Sequence, residues 1–183
     1  MTRAERADVR RNREAIIDAA RLAFRRGESD RRFDDFAALA GVGVGTLYRH
    51  FPTREALAAA IYRDEVDALG REARRLLDES PPEAALAAFL RSFVHLIASE
   101  PALARTLATH MRDRPDVQAE GADALGASIV ALVDAAVEGG RLLNDLTPGV
   151  ILAALHGISS STGRPGWEAD AERLIAALVR ERT

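Results

Sequence analysis

The chain has 183 residues and a net charge of −3, and 48% of it is hydrophobic while only 5% is aromatic. Because cysteine is absent, a disulfide framework and a thiolate metal site are both excluded. No apolar run reaches the roughly 18 residues of a membrane-spanning helix, so we expect a soluble, cytoplasmic protein without a membrane segment. Runs of β-branched and aromatic residues are scarce, which argues against sheets.

The charge is distributed unevenly along the chain. Residues 1–63 carry a net charge of +4 and residues 64–183 one of −7. A basic N-terminal part followed by an acidic C-terminal part is typical of a nucleic-acid-binding domain joined to a solvated second domain. Arginine-rich helices that merely face water give the same imbalance, so charge alone does not decide between the two.

The first forty residues predict an arm and two helices. Residues 1–9 are polar and are expected to form a mobile arm. A first helix should run from about Asn12 to Gly27, because apolar side chains recur on one face. That face consists of Ile16, Ala20, Ala23 and Phe24. A second helix is expected near residues 33–40, followed by the turn 41–43. Its inward side chains are predicted to be Phe36, Leu39 and Ala40.

A short third helix is expected over residues 44–51, where Pro52 ends it because proline cannot continue a helix. Leu47 and Phe51 should lie in the core, and Thr53 should cap a fourth helix. The opposite face of the third helix exposes a hydroxyl, a phenol, a guanidinium and an imidazole. These groups belong to Thr46, Tyr48, Arg49 and His50. Such a helix anchors in a core on one side and can touch phosphates on the other.

Five further helices follow the fourth, and each shows apolar residues at helical spacing. They are separated by breaks at residues 80–82, at Pro101, at Pro115, at residues 139–148 and at the loop 159–166. The whole chain therefore predicts an all-α protein of about nine helices, without strands, repeats or low-complexity segments.

Residues 45–57 closely resemble the recognition helix of the tetracycline-repressor (TetR) family of bacterial transcription regulators. The resemblance covers residues 13–62 well and the remainder only by helix count and length. The matching positions are Arg13, Ile16, Ala19, Ala20, Phe24, Gly27, Thr46, Tyr48, His50 and Phe51. It implies an N-terminal helix-turn-helix DNA-binding domain at residues 1–63. It also implies a C-terminal helical domain at residues 64–183 for ligand sensing and dimerisation.

By this resemblance the third helix contacts double-stranded DNA. Phosphates are expected at Thr46, Tyr48, His50 and Arg54. Val44 and Gly45 should lie nearest the base edges, because Val44 suits a thymine methyl and Gly45 lets the backbone come close. Arg49 is expected to contribute to specificity, together with DNA shape. The arginines of the arm either enter a minor groove or remain a solvated tail.

The second helix departs from the family pattern. Where the family usually has hydroxyl residues, this chain has Arg32 and Phe33, followed by Asp34 and Asp35. The two carboxylates suit a helix start but should repel phosphates. We therefore assign no DNA contact to the second helix, except for Arg32.

A small-molecule effector is expected in the C-terminal domain, where polar or adaptable side chains interrupt apolar helices. Candidate ligand-binding residues are Phe89, Phe93, His95, Thr106, His110, Met111 and His156. Any one of them is more often an ordinary core or surface residue. No zinc spacing, nucleophile triad or phosphate-binding loop is present, so no metal, cofactor or enzymatic activity is expected.

The resemblance thus implies a homodimeric, ligand-responsive repressor that binds a palindromic operator. The alternatives are an activator, a ligand-independent DNA-binding protein or, from another class, an enzyme housed in the C-terminal bundle. The dimer is expected to form through residues 148–160 and 167–180. The last helix carries an apolar strip that either meets a partner or closes its own core. That strip consists of Leu174, Ile175, Leu178 and Val179.

Overall fold

The computed structural model describes residues 3–111, 114–139 and 146–179, and within these ranges the chain forms nine α-helices and no strand. The all-α prediction is confirmed. The helices are α1 Arg3–Arg25, α2 Asp35–Leu39, α3 Val44–His50, α4 Arg54–Glu79, α5 Pro82–Ser99, α6 Pro101–Met111, α7 Pro115–Glu138, α8 Pro148–Ser161 and α9 Trp167–Leu178.

Local chemistry places most of the helix starts. Proline at the first helical position has its φ angle preset and needs no hydrogen-bond partner for the missing N–H group. Four of the described helices begin this way, at Pro82, Pro101, Pro115 and Pro148. Two threonine hydroxyls also cap helix starts. The side chain of Thr53 accepts a hydrogen bond from the Ala56 amide at 3.2 Å, and that of Thr147 accepts one from the Val150 amide at 3.4 Å. The predicted Thr53 cap is confirmed.

The predicted arm at residues 1–9 is wrong for most of its length, because α1 begins at Arg3. This part of α1 has no apolar face, so hydrophobic periodicity could not reveal it. Ion pairs one helical turn apart support it instead. Arg11 pairs with Asp8, and the Nε atom of Arg10 lies 3.7 Å from the Oε1 atom of Glu14. Met1 and Thr2 lie outside the described residues.

The chain divides into two compact units, and the first comprises Met1–Asp64 together with Glu100–Gln118. In this unit Phe24 and Phe36 are fully buried, with ring centroids 5.8 Å apart in an edge-to-face arrangement. Helix α6 packs against α1. Arg25 Nε, at the end of α1, also forms an ion pair at 2.7 Å with Oε2 of Glu100, the residue just before α6. The sequence did not predict that residues 100–118 pack here. The other large buried side chains include Ile16, Leu47, Leu57, Ile61, Leu103 and Leu107.

One inward prediction in this unit is wrong. Leu39 is 50% exposed, and Ala40 is only half-buried. Helix α2 has five residues and turns the side chains of Phe36 and Ala37 inward. Leu39 falls off that face, since successive residues are rotated by about 100° around a helix.

The second unit comprises Glu65–Ser99 and Ala119–Thr183. Its core is built by the second part of α4 together with α5, α7, α8 and α9, and the inward faces largely follow the predicted helical spacing. Helix α5 packs against both α8 and α9. The fully or nearly fully buried side chains include Leu86, Phe89, Leu90, Ile129, Leu132, Val133, Ile151, Leu155, Ile158 and Ile175.

No single described helix is long and apolar enough to cross a membrane. Among the described residues, only α5 and the start of α6 together reach that length and composition, and they are bent at the break between them.

Candidate nucleic-acid interface

A glycine turn fixes the direction in which α3 leaves α2. Gly41 has a φ of +67°, in the left-handed region that favours glycine. The amide of Val42 donates to the Ala37 carbonyl at 2.9 Å, and that of Gly41 to the Ala38 carbonyl at 3.1 Å. This pair of bonds is the Schellman motif, which ends a helix and satisfies its last carbonyls. Gly43 then precedes α3 in an extended conformation.

Helix α3 is anchored on one side only. Leu47 is fully buried and Phe51 nearly so, which confirms both core predictions. Val44 and Tyr48 are 45% and 46% exposed, and their i, i+4 spacing places them on one outward stripe. Gly45 lies beside them, and a Cβ atom there would meet no described atom within 4 Å. Internal packing therefore does not require this glycine, although it costs the helix about 1 kcal/mol relative to alanine.

The phenol of Tyr48 already has a partner inside the protein. Its Oη atom donates to Oδ1 of Asp34 at 2.9 Å. The tyrosine ring meets the Phe33 ring edge to face, with centroids 5.4 Å apart. The hydrogen bond to Asp34 is the main reason why the pKa of Tyr48 is raised. The only proton of the phenol is thus engaged, whereas the resemblance implied that it is donated to a phosphate.

Arg54 is also engaged within the protein. Its two terminal nitrogens donate to the backbone carbonyls of Ser29 and Arg31, and its guanidinium lies 5.4 Å from the centroid of the Phe36 ring. These contacts hold the loop that leads into α2. The geometry favours a positioning role for Arg54 over a phosphate contact.

His50 stands in a positively charged corner of the surface. Burial lowers its pKa, and the neighbouring Arg13 and Arg49 lower it further. Arg13 itself lies over the Phe51 ring, 5.4 Å from its centroid. Since the pKa of a histidine is ordinarily about 6.5, His50 is neutral at neutral pH and keeps one N–H donor. Two guanidinium groups around a half-buried donor suit an anion such as a phosphate. Arg49 is exposed, and Thr46 is half-buried.

The candidate ligand-binding residues are divided between the two units. Thr106 and His110 lie on α6 in the first unit, where Thr106 is buried and His110 half-buried. Phe89, Phe93 and His95 lie on α5 in the second unit, and His156 lies on α8. Phe89 is core and Phe93 half-buried, while both histidines are exposed. The side chain of Met111 lies outside the described part of the structure.

His110 contributes to the packing of the first unit. Its ring stacks on Phe24, with centroids 6.1 Å apart and an interplanar angle of 20°. Its Nδ1 atom lies 4.0 Å from Oε1 of Glu55. Burial is the largest influence and lowers the pKa of His110; Glu55 opposes that effect and Arg54 adds to it.

Acid is therefore expected to destabilise the first unit through His110. Because its pKa is lower in the folded state, the unfolded chain binds more protons, and stability falls as the pH drops from about 7.5 through the ordinary histidine value of about 6.5. His110→Phe keeps a ring against Phe24 but removes this proton uptake. Urea midpoints measured from about pH 7.5 to pH 5 should fall less in the variant. His50 keeps its own share of the pH dependence in both proteins. If the urea midpoints of the wild type and of His110→Phe fall equally with pH, proton uptake by His110 does not cause the acid destabilisation.

The apolar strip of the last helix is only partly buried. Ile175 is fully buried, and Leu178 and Val179 pack partly against the core of the second unit. Leu174 is 38% exposed. On α8, Val150 and Leu152 are exposed as well. Part of the strip thus closes the unit's own core, while one large apolar side chain of α9 and two of α8 remain exposed, the latter two on either side of the buried face of α8.

Two protein families match the chain in consecutive regions. Residues 16–61 match bacterial regulatory proteins of the tetR family, and residues 81–180 match the C-terminal domain of SbtR-like transcriptional regulators. An HTH-type transcriptional regulator of Mycobacterium tuberculosis is 33% identical over 135 residues, which cover 73% of this chain and 62% of that protein. The chain spans 42% to 62% of the length of the curated relatives it matches.

Solved structures resemble the fold over nearly the whole chain. The TetR transcriptional regulator SCO0520 from Streptomyces coelicolor is 35% identical, with a TM-score of 0.69, covering 93% of this chain and 99% of that one. AibR, solved in complex with isovaleryl coenzyme A and operator DNA, has a TM-score of 0.64 at 18% identity. It covers 93% of this chain and 100% of that chain, and it supports the fold alone.

Proposed function

Because the chain belongs to the TetR family of bacterial transcriptional regulators, we propose that it is a ligand-responsive repressor that binds operator DNA as a homodimer. The observation that carries this proposal is α3, which is anchored by Leu47 and turns its other face outward. The proposed contact residues on that face are Val44, Gly45, Thr46, Tyr48, Arg49 and His50. Arg54 supports them by holding the preceding loop.

A dimer would place one α3 helix in each of two successive major grooves, about 34–36 Å apart. The DNA-binding function is assigned to residues 1–63. Residues 100–118 support it, because they pack in the same compact unit. Sensing and dimerisation are assigned to residues 64–183.

The dimer interface is proposed on the exposed parts of α8 and α9. Val150, Leu152 and Leu174 are large apolar side chains that remain exposed on these two helices. A two-fold interface is self-complementary, so the same surface of a second copy covers them. Burying these side chains removes apolar surface from water, which is the main source of association free energy.

The effector is proposed to be a small molecule held by the second unit, with Phe89 and Phe93 as its first candidate contacts. AibR, which has the same fold, was solved with a coenzyme A thioester and operator DNA. An effector releases DNA only if it binds better to a dimer conformation whose α3 helices are wrongly spaced. We propose no catalytic activity, because the family consists of transcriptional regulators.

Salt dependence tests whether the α3 face is a DNA footprint. If 6–10 phosphates are contacted across two half-sites, affinity for a duplex should fall by about 10³ or more between 50 and 200 mM salt. Arg49→Gln should reduce the log–log slope by about one for each phosphate that the arginine neutralises, and a dimer carries two copies of Arg49. Arg164→Gln, at an exposed site in the second unit, serves as the matched control and should leave the slope unchanged. A wild-type slope near zero would contradict the proposal.

A further inference from the structure

The contact between Asp34 and Tyr48 makes the outward end of α3 rich in hydrogen-bond acceptors. The phenol donates its only proton to Asp34 at 2.9 Å and retains its oxygen lone pairs. An ionised carboxylate is itself acceptor-only. Together the two side chains therefore present oxygens and a negative charge to any approaching molecule, although Tyr48 is 46% exposed on the proposed DNA-binding face.

A phosphate is a poor partner for such a pair. Phosphate oxygens accept hydrogen bonds and carry negative charge, so they offer no proton to the phenol and repel the carboxylate. The major groove displays only two kinds of donor, the N4 amino group of cytosine and the N6 amino group of adenine. Both match an acceptor pair, and acidic side chains recognise cytosine N4 in this way.

The position of the pair fits a base edge. Tyr48 lies one helical turn after Val44 on the same outward stripe, beside the bare backbone of Gly45. Its ring is held edge to face by Phe33 at 5.4 Å, and Phe33 in turn packs on the buried Phe36 at 6.3 Å. The phenol oxygen is thus fixed before any ligand arrives, which limits the entropy cost of binding.

A positively charged side chain lies beside the pair. Arg32 lies near enough to lower the pKa of Tyr48, against the larger opposite effect of Asp34. Arg31 is already paired with Glu28 at 2.5 Å, which is the main reason why its pKa is raised, and Asp35 adds a smaller effect. Arg32 can offset part of the repulsion that Asp34 exerts on the DNA backbone.

We propose that Asp34 and Tyr48 form a base-reading pair that accepts a hydrogen bond from the exocyclic amino group of a cytosine or an adenine in each half-site. This inference rests on the proposed function, and it replaces the phosphate contact expected for Tyr48. Recognition of one donor should discriminate about 5- to 150-fold against a base pair that lacks it at that position.

The test selects duplexes of about 30 base pairs from a randomised pool, which is long enough for two half-sites one helical turn apart. The proteins compared are the wild type, Tyr48→Phe and Asp34→Asn, each checked for folding by circular dichroism. The wild-type motif should contain cytosine or adenine at one position of each half-site. That preference should disappear in Tyr48→Phe and change in Asp34→Asn, while the rest of the motif is kept.

Two matched controls and one affinity measurement complete the design. Tyr62→Phe removes a phenol from α4, and Asp35→Asn removes the neighbouring carboxylate; both should select the wild-type motif. On one fixed duplex of random sequence, Tyr48→Phe should bind as the wild type does, and Asp34→Asn should bind more tightly because a repelling charge is gone.

Two results would overturn the inference while leaving the repressor proposal intact. One is an unchanged motif in both variants. The other is a uniform loss of affinity for every duplex in Tyr48→Phe, which would identify the phenol as a phosphate donor. If the wild type enriches no motif at all, the proposed function itself fails and the inference falls with it.

Discussion

Replacing Phe24 by alanine is expected to lower the free energy of unfolding of the first unit by about 3–5 kcal/mol. Phe24 is fully buried, edge to face with Phe36 and stacked on His110. Its removal leaves a cavity beside the rings of Phe36 on α2 and His110 on α6. Because whole domains are stable by only about 5–15 kcal/mol, the variant should lose much of its folded population and its DNA affinity.

Urea unfolding followed by circular dichroism measures this loss. Trp167 is the only tryptophan in the chain and lies in the second unit, so its fluorescence reports that unit separately. Leu22→Ala is the matched control, because Leu22 lies on the same helix but is 47% exposed. It should change stability by no more than about 0.5 kcal/mol. Equal midpoints for Phe24→Ala and the control would show that the Phe24 cluster is not a stabilising core.

Placing a charge at Leu174 is expected to give a folded monomer that binds operator DNA weakly. Leu174 is an exposed leucine of the proposed dimer interface, and a glutamate there would put an unpaired charge into that interface. Without the second half-site, an avidity contribution of about 10²- to 10⁴-fold disappears. Sedimentation velocity at micromolar concentration measures the dimer, and titration of a selected duplex measures the affinity.

Ile175, the residue after Leu174, provides a contrasting variant. Ile175 is fully buried in the core of the second unit, so Ile175→Glu should unfold that unit because the charge has no partner there. Leu22→Glu adds a charge at an exposed leucine of the first unit and should leave the dimer intact. If Leu174→Glu remains dimeric, the proposed interface is wrong. A monomeric wild type would also remove the palindromic-operator proposal.

Local patterns predicted the helices well because their causes are local. A proline or a threonine sets a helix start through its own ring or hydroxyl, as at Pro82 and Thr53. Apolar spacing predicted the buried faces of α1 and α8 because a regular helix turns every third or fourth residue inward. In the first turns of α1 the apolar spacing was missing, and the predicted helix start was therefore wrong. The charged residues that form ion pairs in these turns were nevertheless visible in the sequence.

The candidate site was predicted only in part. The residues of α3 that face outward follow from helical spacing, since Leu47 and Phe51 must be buried. The hydrogen-bond partners of the polar side chains do not follow from helical spacing. Tyr48 and Asp34 are 14 positions apart, and Arg54 reaches carbonyls 23 and 25 positions away. The sequence predicts that Asp34 repels phosphates, and no pattern along the chain indicates that it holds the phenol proton.

The amino-acid sequence alone established the helical class, the order of the helices and the burial of one side of the third helix. The reason is that hydrogen bonds and side-chain spacing within a helix involve residues no more than about four positions apart. It took the packing of the helices to show that α6 lies against α1 and that Thr106 and His110 belong to the first unit, whereas the α5 residues with which they were grouped belong to the second. The packing also separated Ile175 from Leu174 within one apolar strip. Such contacts depend on which helix covers which face, and burial of apolar surface is non-directional, so the pattern along one helix does not specify its partner.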